Sequence, residues 1–93
     1  MAVYVDQARI PYRGMVMSHM VADTLDELHA MASRVGMKRE WFQPRSFPHY
    51  DLPEPRRAHA VELGAVEIGQ RELGRFMRSR RAQFPRAPRE GGA

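Results

Sequence analysis

The sequence predicts a small α/β domain: a single-domain sandwich of roughly four short strands and three helices. Segments rich in β-branched residues alternate with segments of helical periodicity along the chain. A chain of 93 residues buries only about 60–65% of its unfolded surface, so one core has to serve all these elements. Because there is no cysteine, packing rather than disulfides or thiolate-bound metals has to stabilise it. The strand order is left open.

Two strands joined by a loop are expected at the N-terminus. Val3-Tyr4-Val5 combines β-branched and aromatic residues and predicts a buried strand that ends at Asp6. Residues 7–14 contain proline, glycine and two arginines and predict an exposed loop. In residues 15–22 both alternating faces are largely apolar, which predicts a central strand.

A capping box predicts where the first helix begins. The Thr24 hydroxyl can accept a hydrogen bond from the amide of Glu27, whose carboxylate can reach back to the cap. Gly36 then supplies a left-handed stop. Between these positions, apolar residues recur at helical spacing: Leu25, Leu28, Ala32 and Val35.

Shorter elements are expected in the rest of the chain. In order, they are a short strand at 40–43, a proline-rich loop at 44–55, a helix at 55–63 ended by Gly64, a strand at 65–68 and a helix at 70–81. The proline- and glycine-rich residues 82–93 predict a disordered basic tail. The expected domain therefore covers residues 1–81.

The net charge of +4 is unevenly distributed along the chain. Residues 1–70 hold eight basic and nine acidic side chains, whereas residues 71–93 hold seven arginines and two glutamates. A uniformly basic nucleic-acid-binding domain would carry its positive charge throughout the fold, so this class is disfavoured. The chain contains neither a signal-peptide pattern nor a long apolar run, so we expect a cytoplasmic protein with no membrane partner.

Four polar residues form the candidate catalytic group: Asp6, His19, His49 and Asp51. Asp6 follows a strand, and an extended His49-Tyr50-Asp51 segment places its imidazole and carboxylate on one side. Two imidazoles and one carboxylate suit a divalent transition metal, so His19, His49 and Asp51 are the candidate ligands. Each residue also has a structural interpretation. His19 can be a core histidine, Asp51 a turn cap, and Asp6 one half of an ion pair.

A second group of residues predicts ligand binding at the rim of this pocket. Arg9 and Arg13 flank Tyr12, and guanidinium groups beside an aromatic ring recognise phosphate or carboxylate. The alternative is an ordinary solvated loop. Trp41 can either stack on a base or anchor the core, and a small chain with one tryptophan favours the core.

The last helix suggests an alternative function. Three arginines, Arg71, Arg75 and Arg78, lie opposite its apolar side, and Arg80 and Arg81 follow. These five residues could bind nucleic-acid phosphates without catalysis, or they could simply keep the surface soluble. A protein-interaction domain is a further alternative.

Several motifs in combination resemble a family of small bacterial and phage proteins of unknown function. They include Tyr4-Val5-Asp6, Ser18-His19, Trp41-Phe42-Gln43 and His49-Tyr50-Asp51, and the resemblance covers roughly residues 2–80. It implies a strand-end aspartate, a Ser-His pair and a His-aromatic-Asp triplet, but no established activity. Members tend to place Thr or Ser where this chain has Gly69, which weakens the cap of the last helix. The leading hypothesis is a pocket for a divalent metal or a phosphate-bearing ligand, with metal-assisted hydrolysis as the first reaction class to test.

Overall fold

The computed structural model describes residues 2–84, in which five strands form one mixed sheet. The strands are β1 (Val3–Val5), β2 (Ile10–Tyr12), β3 (Met15–Ala22), β4 (Tyr50–Pro53) and β5 (Val66–Glu67). The helices are α1 (Leu25–Arg34), α2 (Glu54–Glu62) and α3 (Gln70–Ser79), with a short 3-10 helix at Arg39–Trp41. The predicted α/β class is confirmed.

Strand β3 is the centre of the sheet, as its two apolar faces predict. Its C-terminal half pairs with β1 and its N-terminal half with β2, both antiparallel. Strand β4 pairs antiparallel with residues 17–20 of β3, so it occupies the opposite side, and β5 lies parallel to β1. This register sets His19 directly across from Asp51.

One face of the sheet packs against α1 and α2 and forms the main core. Val5, Met20, Tyr50 and Leu52 are fully buried on this face. Leu28 of α1 and Ala60 of α2 pack against them. Burying a large apolar side chain contributes about 1.5–3 kcal/mol, so this layer dominates the stability of the fold.

The opposite face is covered by α3 over only part of its area. Tyr4 and Val21 pack against Phe76 and its neighbours on α3, and the Tyr4 and Phe76 ring centroids are 4.9 Å apart. Farther along the same face, Tyr12 and Met15 are 51% and 41% exposed. The candidate site lies between the covered and the exposed parts.

The cap at the start of α1 is confirmed. Thr24 Oγ1 accepts from the amide of Glu27 at 3.2 Å and donates to the Glu27 carboxylate at 2.8 Å. Gly36 has φ +81°, a left-handed conformation that favours glycine, and a β-carbon there would also force the Arg56 guanidinium, 2.5 Å away, to shift. Leu25 departs from the predicted apolar stripe, because it is 40% exposed.

Three local predictions are wrong. The loop expected at 7–14 contains β2, because Arg13 and Gly14, at φ 50° and 76°, form a tight turn that returns the chain as a hairpin. The strand expected at 40–43 is instead the 3-10 helix. Only Gln43 makes a β-bridge, with His49. The prolines of segment 44–55 do not prevent β4, which pairs with β3 alone among the described strands.

The start of the predicted tail packs onto the domain. Phe84 is 8% exposed, and its ring centroid lies 5.3 Å from that of Phe47. Gln83 donates to the Asp23 carbonyl. Packing on the domain therefore extends at least to Phe84, and residues 85–93 of the predicted tail lie outside the described residues.

Candidate metal centre

Three side chains converge where β3 and β4 pair. Because cross-strand partners point to the same side of a sheet, the register that sets His19 across from Asp51 brings both side chains together. Alternation along the extended chain places His49 on that side as well. The bridge between Gln43 and His49 continues the pairing and fixes the position of His49.

The distances among these groups are close to those of a metal site. Asp51 Oδ1 lies 3.4 Å from His49 Nε2 and 3.9 Å from His19 Nε2. One ligand atom from each residue lies within 4.8 Å of the others, and all three side chains are half-buried. With bonds of about 2.0–2.2 Å at tetrahedral angles, ligand atoms lie about 3.3–3.5 Å apart. The Asp51–His49 separation already matches, and small rotations would close the remaining gaps.

Asp6 is fully buried behind His19. Its Oδ2 accepts from His19 Nδ1 at 2.6 Å, while its Oδ1 accepts from the amides of His19 at 2.7 Å and Ala8 at 3.3 Å. Burial alone would raise the pKa of Asp6, but these hydrogen bonds outweigh it and lower that pKa. The sequence predicts that Asp6 lines the pocket beside the other three residues, whereas the structure places it behind His19. It fixes the orientation of His19 instead.

The hydrogen bond that His19 donates to Asp6 also sets the chemistry of the His19 ring. The bond to this carboxylate raises the pKa of His19, burial opposes the increase, and the charges of Asp6 and Asp51 reinforce it. Because an ionised carboxylate only accepts hydrogen bonds, the Nδ1 atom of His19 carries the proton. In the neutral ring, the lone pair then belongs to Nε2, the atom that faces Asp51.

His49 and Asp51 are each oriented by a hydrogen bond as well. His49 Nδ1 donates to the carbonyl of Phe47 at 2.7 Å, which leaves Nε2 as the basic nitrogen. Gln43 Nε2 donates to Asp51 Oδ2 at 2.7 Å, which leaves Oδ1 toward the histidines. The sequence alone does not reveal the roles of Gln43 and the Phe47 carbonyl, although Gln43 lies in the Trp41-Phe42-Gln43 motif that contributes to the family resemblance.

Arg57 supports this arrangement from behind. Its Nε donates to the carbonyl of Asp6 at 2.9 Å, and its Nη2 lies 3.0 Å from a carboxylate oxygen of Glu67. One side chain of α2 thus ties the end of β1 to β5.

The predicted rim residues Arg9, Tyr12 and Arg13 do not act as one group. Arg9 is largely exposed and lies 3.6 Å from Glu54. The Arg13 guanidinium lies 5.3 Å from the ring centroid of Tyr12. Tyr12 and Arg13 line a groove of about 780 Å³ that also includes Asp51. Two of the three residues therefore adjoin the candidate centre.

The five arginines of the alternative hypothesis divide into two groups. Arg71, Arg75 and Arg78 are exposed on α3. Arg80 donates to Asp23 at 3.0 Å and lies 4.9 Å from the Phe76 ring centroid. Arg81 donates to the carbonyl of Ser46 at 2.8 Å. The second group therefore holds the C-terminal segment against the domain.

Comparison with known proteins gives a family but no activity. A family model described as "Protein of unknown function (DUF4031)" matches residues 3–80. The chain belongs to the DUF4031 family. This assignment confirms the resemblance found in the sequence motifs. No curated protein and no solved structure matches the chain. Between residues 2 and 84, this DUF4031 domain has no helix long and apolar enough to span a membrane.

Proposed function

We propose that this DUF4031 protein binds a divalent transition metal through His19 Nε2, His49 Nε2 and Asp51 Oδ1. The observation that carries the proposal is the orientation of these three atoms. In each residue the other polar atom already has a protein partner, supplied by Asp6, the Phe47 carbonyl or Gln43. Such outer hydrogen bonds are typical of metal-binding histidines and carboxylates.

The donor set favours a transition metal over calcium or magnesium. Two imidazole nitrogens suit zinc, iron, copper or nickel, whereas calcium and magnesium prefer oxygen ligands throughout. Three protein ligands also leave at least one coordination position for water or substrate, as in catalytic rather than structural zinc sites. The partial exposure of all three side chains is consistent with such access.

Metal-assisted hydrolysis is the reaction that this arrangement supports best. A bound divalent metal lowers the pKa of its water to about 7, so hydroxide is available at neutral pH. The hydroxide oxygen would bond to the electrophilic atom of the substrate, and the bond to the leaving group would break. The proton released from the water would end on the leaving group, so the net reaction adds one water across the broken bond.

Metal binding can be measured by thermal unfolding and calorimetry with Zn²⁺. A metal at about 100 times its Kd stabilises the native state by about 2.7 kcal/mol, which for a domain of this size raises Tm by about 10–20 °C. His19→Ala, His49→Ala and Asp51→Asn should each remove most of this shift. His59→Ala is the matched control, because His59 is an exposed histidine on α2. An equal zinc-dependent shift in the parent protein and His49→Ala would contradict the proposal.

A non-catalytic nucleic-acid-binding function is the second candidate. It is supported by Arg71, Arg75 and Arg78, which are exposed along one side of α3 and line one shallow cavity. Changing all three to glutamine should weaken RNA or DNA binding. It should also reduce the number of phosphate contacts, derived from the slope of log affinity against log salt concentration, by roughly three. A triple Gln variant that binds with the parent's affinity and salt dependence would exclude α3 as the interface.

A further inference from the structure

Exposed apolar side chains are concentrated beside the candidate metal centre. Four of the six large apolar residues that are exposed within residues 2–84 line one groove. They are Ile10, Tyr12, Met15 and Trp41, each 41–51% exposed. Such a concentration in a small domain marks a binding surface rather than chance exposure.

The groove borders the candidate metal centre at Asp51, whereas the two histidines are not part of its lining. Its lining includes Asp51, a proposed ligand, and Gln43, which holds the Asp51 carboxylate. Its volume of about 780 Å³ lies in the range of small-molecule sites. A small molecule in the groove would therefore approach a bound metal from the side of Asp51.

A cationic side chain lies close to each of two aromatic rings in the groove. The Arg13 guanidinium lies 5.3 Å from the Tyr12 ring centroid, and Lys38 Nζ lies 5.4 Å from that of Trp41. Planar rings of this kind stack on a heterocycle, while the adjacent cations attract an anion. The exposure of Trp41 also removes the core-anchor interpretation suggested by the sequence.

The lining charges change once a metal is bound. Without an ion, Arg13 and Arg56 are balanced by Glu40 and Asp51. A divalent cation at the centre adds two positive charges, so the occupied groove favours an anionic molecule. The aromatic rings favour a heterocycle and the positive charge favours an anion, so together they favour an anionic molecule that contains a heterocyclic ring.

We propose that this groove binds a nucleotide, with its phosphate at the metal and its base against Trp41. The inference rests on the proposed metal centre. From His19 to Met15, β3 extends about 13 Å, enough for a phosphate, sugar and base laid along the groove. Tyr12 and Arg13 occupy the end farther from the metal, where they would contact the sugar and base.

The fluorescence of Trp41 provides a direct test, because it is the only tryptophan in the chain. The zinc-loaded full-length protein would be titrated separately with the four common 5′-mononucleotides, with their nucleosides and with ribose 5-phosphate. At least one nucleotide should give a saturable change and bind about tenfold or more tightly than its nucleoside or ribose 5-phosphate. A response to none of the four, or equal binding of nucleotide and nucleoside, would overturn the proposal.

Variants locate the interaction. Tyr12→Ala and Arg13→Gln should weaken nucleotide binding severalfold by fluorescence, and Trp41→Leu should weaken it roughly tenfold by calorimetry. Arg34→Gln is the matched control, because Arg34 is exposed on α1 and is not part of the groove lining. Equal losses of nucleotide affinity in Arg34→Gln and Arg13→Gln would show that only the net charge matters, and would overturn the assignment of Arg13 to the binding groove.

Zinc calorimetry on the same sample separates the two proposals. Zinc binding without nucleotide binding overturns the groove proposal alone. Nucleotide binding by protein that binds no zinc overturns the metal centre and the placement of the phosphate there, and supports only the placement of the base in the groove. If a second copy occupies the groove, sedimentation will show a dimer whose formation changes Trp41 fluorescence while nucleotides do not, and that result also overturns the proposal.

Discussion

His19 Nδ1 lies 2.6 Å from Oδ2 of the buried Asp6, so one ring nitrogen of this histidine is occupied and the other faces Asp51. The pair therefore links the core to the proposed metal centre. Its contribution can be tested by removing the charge of Asp6 and keeping its shape.

Asp6→Asn should weaken zinc binding by about 10–100-fold. An amide nitrogen placed against His19 Nδ1 would donate to it and favour the tautomer with the proton on Nε2, which removes the metal-binding lone pair. Losing the charged hydrogen bonds should also lower the free energy of unfolding by about 1.5–3 kcal/mol. Calorimetry with Zn²⁺ and urea unfolding measure the two effects. Unchanged zinc affinity would show that Asp6 supports only the fold.

Gln43→Leu should lower zinc affinity with little effect on stability. The Gln43 amide holds Asp51 Oδ2 at an exposed position, so its loss frees the carboxylate to rotate away from the histidines. We expect a decrease in affinity of about tenfold. Gln70→Leu is the control, because Gln70 is exposed at the start of α3. Similar zinc affinities in both variants would show that Gln43 does not position Asp51 for zinc binding.

The stability contributed by His29 should decrease in mild acid. Burial, followed by the charge of Arg39, lowers the pKa of His29, while Asp26 opposes the shift. The His29 ring also lies 2.7 Å from the hydroxyl of Tyr50, with Nδ1 as the contact atom. Below the ordinary histidine pKa of about 6.5, the unfolded chain binds more protons than the native state. The contribution is therefore complete above about pH 6.5 and is lost as the pH falls through the lowered pKa.

His29→Asn isolates this effect, because asparagine can still hydrogen-bond Tyr50 but does not titrate. Urea unfolding at about pH 7.5 and about pH 5.5 should show a larger acid-induced loss in the parent protein than in the variant. The raised pKa of His19 acts in the opposite direction, since its contribution is lost as the pH rises. Because the parent protein and His29→Asn both contain His19, comparing them cancels the pH dependence that His19 contributes. Equal pH dependence in both would contradict the assignment to His29.

Phe84→Ala should destabilise the domain by about 3 kcal/mol. The Phe84 ring packs between the loop that carries Phe47 and helix α3, so its removal leaves a cavity there. Thermal unfolding should show a Tm about 10–20 °C lower. Leu25→Ala, at a 40% exposed position, should change Tm far less. A negligible effect of Phe84→Ala would contradict a stabilising role for Phe84 and favour a domain boundary at Arg81.

Local patterns in the sequence predict much of this fold. The capping box at Thr24 places α1, and the apolar residues on both faces of 15–22 identify the central strand. Alternation along the chain puts His49 and Asp51 on one side. Each of these features depends on neighbouring residues, whose spacing the sequence displays directly.

Features that depend on distant pairing are harder to predict. No local pattern states that His19 lies across from Asp51, because that register depends on packing of the whole sheet. The interior position of Asp6, the contact from Gln43 and the burial of Phe84 have the same origin. Trp41 is the opposite case, a residue that is more exposed than the sequence predicts. As the only tryptophan of a small chain it is expected in the core, whereas its position in the 3-10 helix leaves the side chain 44% exposed.

The central claim is that His19 and His49 bind a metal through Nε2 in company with Asp51. Long-range ¹H–¹⁵N NMR spectra of the imidazoles, recorded before and after one equivalent of Zn²⁺, test it most directly. We predict that the neutral rings of both histidines carry the proton on Nδ1 and that zinc shifts their Nε2 signals, while those of His29 and His59 do not change. Zinc-dependent shifts at His59 instead, or none at His19 and His49, would contradict it.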